Sequence, residues 1–363
     1  CWHEDWAPVY LKRINGIAFI GVHWGHEGEL AGFLEAHADE LRGGNPFFVV
    51  QHPHPKNTCH GSFAGGQDEG LSAAALAAFP NAVVLSGHSH RTLTDEMAFW
   101  QGSFTSVGMG SLSYTALPRH RHMPFGYENT TIVEVKGDRM VEGSKMMPFA
   151  PTQGHPFMVM TVNGPEVSFD RLELADGRVL SLGRDWQVVT PVGKDRPMSF
   201  AGRQKKEVPP AFPSGFVPAV ERRRLPTRGY RGFNGWTIDD PVSSKLKDAF
   251  AFDVPQTVGP DRTFELEIAI ETKGGVTDRR YALVAGYDRS PDSPEARKPT
   301  RVILSCDQMP RQTFRYVVTP VTSLGTRGHA VSSDWIPQAD DVAYPPAPGR
   351  ESWAFRDELA KPA

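Results

Sequence analysis

The stretch Val83-Val84-Leu85-Ser86-Gly87-His88-Ser89-His90 constrains this chain more than any other. Its consecutive apolar residues read as a strand buried on both faces, the kind found in a parallel sheet covered by other layers. If the chain stays extended past Gly87, side chains alternate, so His88 and His90 share one face and Ser89 takes the other. Gly87 allows a sharp turn and leaves room beside the first imidazole. Imidazole suits Zn, Fe and Mn, and two convergent rings make about half of a coordination sphere. An ordinary loop with both rings satisfied by backbone groups is the plainer reading of the pair alone.

The preceding residues supply the context for this strand. Ile14 to Val22 is a compact apolar run, and Leu30, Phe33, Leu34, Ala38 and Leu41 recur at helical spacing until Gly43-Gly44 stops the helix. A second apolar run, Phe47 to Gln51, ends at His52-Pro53-His54-Pro55, where the prolines forbid further ladder pairing. A Gly-rich loop, an alanine-rich helix ending at Phe79, and Pro80-Asn81 then lead into the strand Ala82 to Ser86. Alternating strands and helices predict an α/β layer with a parallel sheet. His52 is then expected beside His88 and His90 at the carboxyl edge of that sheet, where open α/β folds place their ligands.

The chain has 363 residues, 39% of them hydrophobic and 22% charged, which suffices for two cores. A formal net charge of −3, with the cations thinly spread, argues against a nucleic-acid footprint or a polybasic membrane face. No apolar run reaches transmembrane length, so the chain reads as soluble. Cys1, Cys59 and Cys306 are too scattered for a disulfide framework or a zinc ribbon. Of 13 histidines only His155 and His329 follow residue 122, which points the chemistry to the first third.

In order, the elements FFVVQHPHP and PNAVVLSGHSH resemble the calcineurin-like metallophosphoesterases, whose Gly-His-x-His motif the second one matches. The resemblance covers residues 1–148 and implies part of a four-layer αββα sandwich. It also implies two divalent transition-metal ions (Zn, Mn or Fe), an activated hydroxide attacking phosphorus in line, and a phosphate mono- or diester substrate. His52 and His88 become ligands of one metal and His90 a ligand of the other, while His54 touches substrate or caps its loop. Trp2-His3-Glu4-Asp5 is similar to the end of the family's Gly-Asn-His segment, which makes His3 the catalytic, phosphate-side histidine, although Trp2 stands where a ligating Asn belongs.

The family's Asp-x-His and Gly-Asp-x-x-Asp elements are missing before His52, and the bridging carboxylate with them. Either a preceding segment or second polypeptide completes the site, or the chain is a degenerate scaffold carrying a binding module. The first is favoured because a partial layer would leave a sheet face and edges exposed.

From about Pro148 short strands and Pro/Gly punctuation replace helical periodicity. Residues 149–215 read as a β-rich connecting region, 216–340 as an all-β sandwich and 341–363 as a loose tail. Phe314 to Gly325 resembles the last strands of a fibronectin type III module, which implies an exported protein, secreted or periplasmic. Phe264 to Ile270 reads as a half-buried strand, Asp95-Glu96 as a surface turn, and Arg119-His120-Arg121-His122 as a solvated turn. His23 and His26 read as strand-end loop residues, and His60 as a ligand only if its loop folds inward.

Overall fold

The computed structural model describes residues 6–63, 66–112, 114–116, 119–122, 127–128, 133–136, 139–142, 149–151, 155–228, 233–234, 237–238 and 242–337. Packing divides the chain into two units that interleave along the sequence. Residues 1–115 and 152–206 build the first, and 116–151 and 207–356 the second. These borders differ from the change of texture near 148, because strands after that point return to the first unit.

The first unit is α/β. Its central sheet has strands β1 (Val9–Ile14), β2 (Ile17–Val22), β3 (Phe47–Gln51), β4 (Ala82–Ser86), β5 (Phe99–Gln101) and β6 (Thr105–Gly108), in the order β1-β2-β3-β4-β6-β5. β2, β3, β4 and β6 run parallel, and antiparallel β1 and β5 close the two sides. Helices α1 (Leu30–Ala36), α2 (Ala38–Leu41) and α3 (Leu71–Leu76) cover one face. There Leu30, Leu34, Leu41 and Leu76 pack on Ile20, Val22, Val49 and Val84. Asn81 donates to the carbonyls of Leu41 and Asn45 at 2.6 and 2.7 Å, tying the break before β4 to the end of α2.

The opposite face is covered by a second, antiparallel sheet: β7 (His155–Asn163), β8 (Glu166–Ala175), β9 (Arg178–Ser181) and β10 (Trp186–Val189). Val167, Phe169, Trp186 and Val188 bury against Phe48, Val83, Phe99 and Val107. Residues 155–189 are therefore a layer of the first unit and not a connector. The bare sheet face expected of a partial layer is absent among the described residues, since alternate positions of β8 supply its cover. Glu96 joins the layers: Arg171 of β8 lies 2.8 Å from it, Trp186 Nε1 donates to it at 2.9 Å, and Arg203 of α4 (Phe200–Gln204) also pairs with it. Neither Glu96 nor Asp95, which is fully buried and accepts from the Met97 amide, lies on a surface turn.

The second unit contains two antiparallel sheets around one core. β11 (Glu221–Arg228), β12 (Val242–Val254) and β15 (Thr300–Ser305) form one. The other runs β14 (Gly275–Leu283), β13 (Glu265–Thr272), β16 (Phe314–Val321), β17 (Val331–Ser332). Phe250, Phe252 and Leu304 meet Leu266, Ile268, Ile270, Tyr316 and Val318 between them, making a sandwich. β13 is buried on both faces, not half-buried. Its acidic side is covered because Arg327 grips Glu267 with two hydrogen bonds at 2.6 and 2.8 Å, and His122 Nε2 lies 2.9 Å from Glu265. Burial alone would raise the Glu265 pKa, but His122, Arg121 and the Tyr127 hydroxyl outweigh it and hold the carboxyl below its usual range. Arg121 and His122 are thus interior residues, with His122 stacked 3.5 Å from the Tyr281 ring, and not a solvated turn.

Candidate functional site

Because β2, β3, β4 and β6 are parallel, their carboxyl ends lie along one edge. His23 and Trp24 follow β2, His52 follows β3, Gly87 to His90 follow β4, and Met109 follows β6. The Gly87 amide donates to the His52 carbonyl at 3.1 Å and the Met109 amide to the Ser86 carbonyl at 2.8 Å, so pairing continues just past the strands. The His52 and His88 rings meet edge to face, centroids 4.7 Å apart. Trp24 packs 4.9 Å from each of them and completes a triangle of rings.

The segment beyond Gly87 is not extended. His88 and His90 have φ of 58° and 50°, the left-handed region that costs a non-glycine residue roughly 1 kcal/mol or more. The Ser89 amide bonds back to the Gly87 carbonyl at 2.7 Å, closing a three-residue turn with His88 at its centre. Simple alternation of His88, Ser89 and His90 therefore does not describe the site.

His54 holds that turn. It is completely buried, with Nδ1 2.6 Å from Ser86 Oγ and Nε2 2.8 Å from Ser89 Oγ, so one ring ties the end of β4 to the residue between the two histidines. Its backbone pairs with the incoming loop: the His54 amide donates to the Gly66 carbonyl at 3.1 Å and the Asp68 amide to the His54 carbonyl at 2.8 Å. Gly66, at φ 73°, lies flat against the His88 ring, where any Cβ would overlap the imidazole. Asp68 then accepts from the Gly70 amide at 2.8 Å and the Ser72 amide at 3.1 Å, capping α3. Ser72 Oγ donates to Gln51 at the end of β3, closing the circuit behind His52.

Beneath this lies a buried polar cluster that the sequence does not announce. The loop after Cys59 folds inward, and His60 sits 5.9 Å ring to ring from His54 with Nδ1 3.6 Å from Asp95 Oδ2. His54 is held neutral, its pKa well below the ordinary value, first by burial and then by His60, Arg91, His88 and His52. Burial also lowers His88 and His90, each helped by its histidine neighbours. Neutral imidazoles have a lone pair available for a metal or a proton. The Cys59 thiol is pushed up to about 12 by burial and is no nucleophile.

The imidazole donors suit Zn, Mn or Fe, yet among the described residues no three His, Cys, Asp or Glu side chains are grouped to hold an ion. The described residues do not by themselves make a two-metal centre. His3 lies outside the described residues. His23 and His26 stay at the β2 end, where Trp6 packs 5.7 and 5.5 Å from their rings.

No protein-family model and no curated protein matches the chain. Among solved structures, a single mutant of Vps29 from Entamoeba histolytica overlaps 52% of this chain at 10% identity and a TM-score of 0.21, and the chain spans 66% of that protein's length. A double mutant of the same protein overlaps 43% of this chain and 88% of its own, at 12% identity and a TM-score of 0.20. Overlaps this poor carry no argument about activity, and the α/β character of the first unit rests on its own strand order.

Proposed function

We propose that the carboxyl edge of the central sheet presents the histidine half of a phosphoesterase site of calcineurin-like type, acting on a phosphate mono- or diester. The observation that carries this reading is the contact of His52 with His88, two imidazoles delivered by adjacent parallel strand ends with centroids 4.7 Å apart. His52, His88 and His90 are the proposed donors to two divalent ions, and His3 the phosphate-side group. His54, buried and engaged at both ring nitrogens, is better suited to positioning than to touching substrate. The carboxylate half would come from a preceding segment or a second polypeptide. When bound, the ions would supply an activated water and neutralise phosphoryl charge.

The second unit accompanies this site as a fibronectin type III-like module. Its strand order supports the comparison: first, second and fifth in one sheet, and fourth, third, sixth and seventh in the other. Export, to the medium or the periplasm, belongs to the same proposal. No helix among the described residues is long and apolar enough to cross a membrane.

A degenerate scaffold is the second reading, favoured by the absence of a metal-holding group among the described residues and by Trp24 packed on both rings. Metal analysis of the purified chain and turnover of an aryl phosphodiester separate the two. Bound metal and turnover that both vanish in His52→Ala and His88→Ala support the enzyme. An intact gene product with neither metal nor turnover leaves the scaffold.

A further inference from the structure

Trp24 is 63% exposed, yet its ring is fixed by two site histidines. Large apolar rings left in water on a loop are unremarkable when isolated, but this one forms a wall of the His52–His88 pair. The three centroids are 4.7, 4.9 and 4.9 Å apart, so a group held against either imidazole also lies within reach of the indole. The ring packs against imidazoles on one side and is otherwise largely open to solvent. Beside it, β1 starts where β2 ends, and Trp6, 67% exposed, lies against His23 and His26. Two largely exposed indoles thus stand at the end of β2, each in contact with two imidazoles.

We propose that Trp24 is a stacking subsite and that the ligand of this edge carries a planar heteroaromatic ring of nucleobase type next to the group that reaches His52 and His88. A pre-positioned indole face binds such a ring without reorganisation, and stacking tolerates any base because every base has a π-face. The inference rests on the proposed phosphoester reading only for the phosphate part of the ligand. The ring part stands on the Trp24 geometry.

The test titrates the full chain, with and without added Zn²⁺, with adenosine (ring alone), AMP (ring and phosphate) and ribose 5-phosphate (phosphate alone), following tryptophan fluorescence and calorimetric heat. Adenosine and AMP are expected to bind and quench, and ribose 5-phosphate to bind more weakly. Trp24→Ala should weaken adenosine and AMP about tenfold, and Trp24→Phe should retain most of the affinity. Adenosine binding with no gain from the phosphate would keep the subsite and discard the phosphoester reading. Equal affinity for AMP and ribose 5-phosphate, an unchanged AMP affinity in Trp24→Ala, or no binding of any of the three would overturn the subsite. Because Trp24 is exposed, both variants should keep the parent melting temperature, which separates lost stacking from lost fold.

Discussion

His54 Nε2 lies 2.8 Å from the hydroxyl of Ser89, the residue that separates His88 from His90. The other ring nitrogen is held by Ser86, so a single buried side chain sets where the two neighbouring imidazoles go. His54→Ala leaves both serines without this partner and opens a cavity, and should cost about 2–4 kcal/mol in urea unfolding. Ser89→Ala removes one hydrogen bond and should cost about 1 kcal/mol. Imidazole NMR signals of His88 and His90 are expected to move in both variants. Unmoved signals in His54→Ala would show that the turn holds itself.

Acid should weaken the first unit through the same residue. The folded chain keeps His54 neutral with a pKa well below the ordinary 6.5, chiefly through burial. The unfolded chain takes up that proton near 6.5, so between the two values the unfolded state binds more protons and stability falls as pH falls. His88 and His90, also lowered, act in the same direction. Melting temperature should be flat above about pH 7 and decline below about 6.5, with a shallower decline in His54→Gln. A slope identical in the variant would remove His54 from the account.

Gly66→Ala is expected to displace His88. The new methyl would overlap the imidazole, and φ of 73° adds backbone strain. The adjacent Trp24 reports the change: its fluorescence maximum should shift while far-ultraviolet dichroism stays the same. Gly16, at φ 82° with open space around it, is the control, paying the backbone strain without the ring displacement.

Glu96 faces Arg171 and Arg203, both largely buried. Burial alone would raise its pKa, but the two guanidiniums and the Trp186 hydrogen bond prevail and keep it below the usual carboxylate range. Glu96→Ala should destabilise the first unit by about 3 kcal/mol, because two interior cations lose their counter-charge. Glu96→Gln, which keeps an acceptor for Trp186, should lose roughly half as much in the same denaturant titration.

The meeting of His52 and His88 was legible in the residues, because consecutive apolar runs separated by helical segments force parallel neighbours whose ends coincide. The left-handed turn was not, since it is imposed by His54, more than 30 positions away. Asp95 and Glu96 read as surface because acidic pairs usually are. Their partners, His60, Arg171 and Arg203, come from a loop, a strand and a helix distant in sequence. The burial of Glu267 on β13 likewise waits for Arg327. The strands of 155–189 carry their own alternation, and nothing local says which apolar surface they will cover. Trp24 carries no signal of its own in the residues, because an exposed ring gains its meaning from the histidines that β3 and β4 bring beside it.

The path of the backbone limits how this molecule can be dissected. It passes between units at 115/116, 151/152 and 206/207, so they are not beads on a string. A gene fragment stopping at residue 148 would strip Val167, Phe169, Trp186 and Val188 from Phe48, Val83 and Val107, handing an expression host an unsheathed hydrophobic slab. A cut at 115/116 or 151/152 meets the same obstacle, and one at 206/207 parts His122 and Tyr127 from the Glu265 carboxylate they contact. The two halves of this chain must therefore be inherited, produced and assayed together.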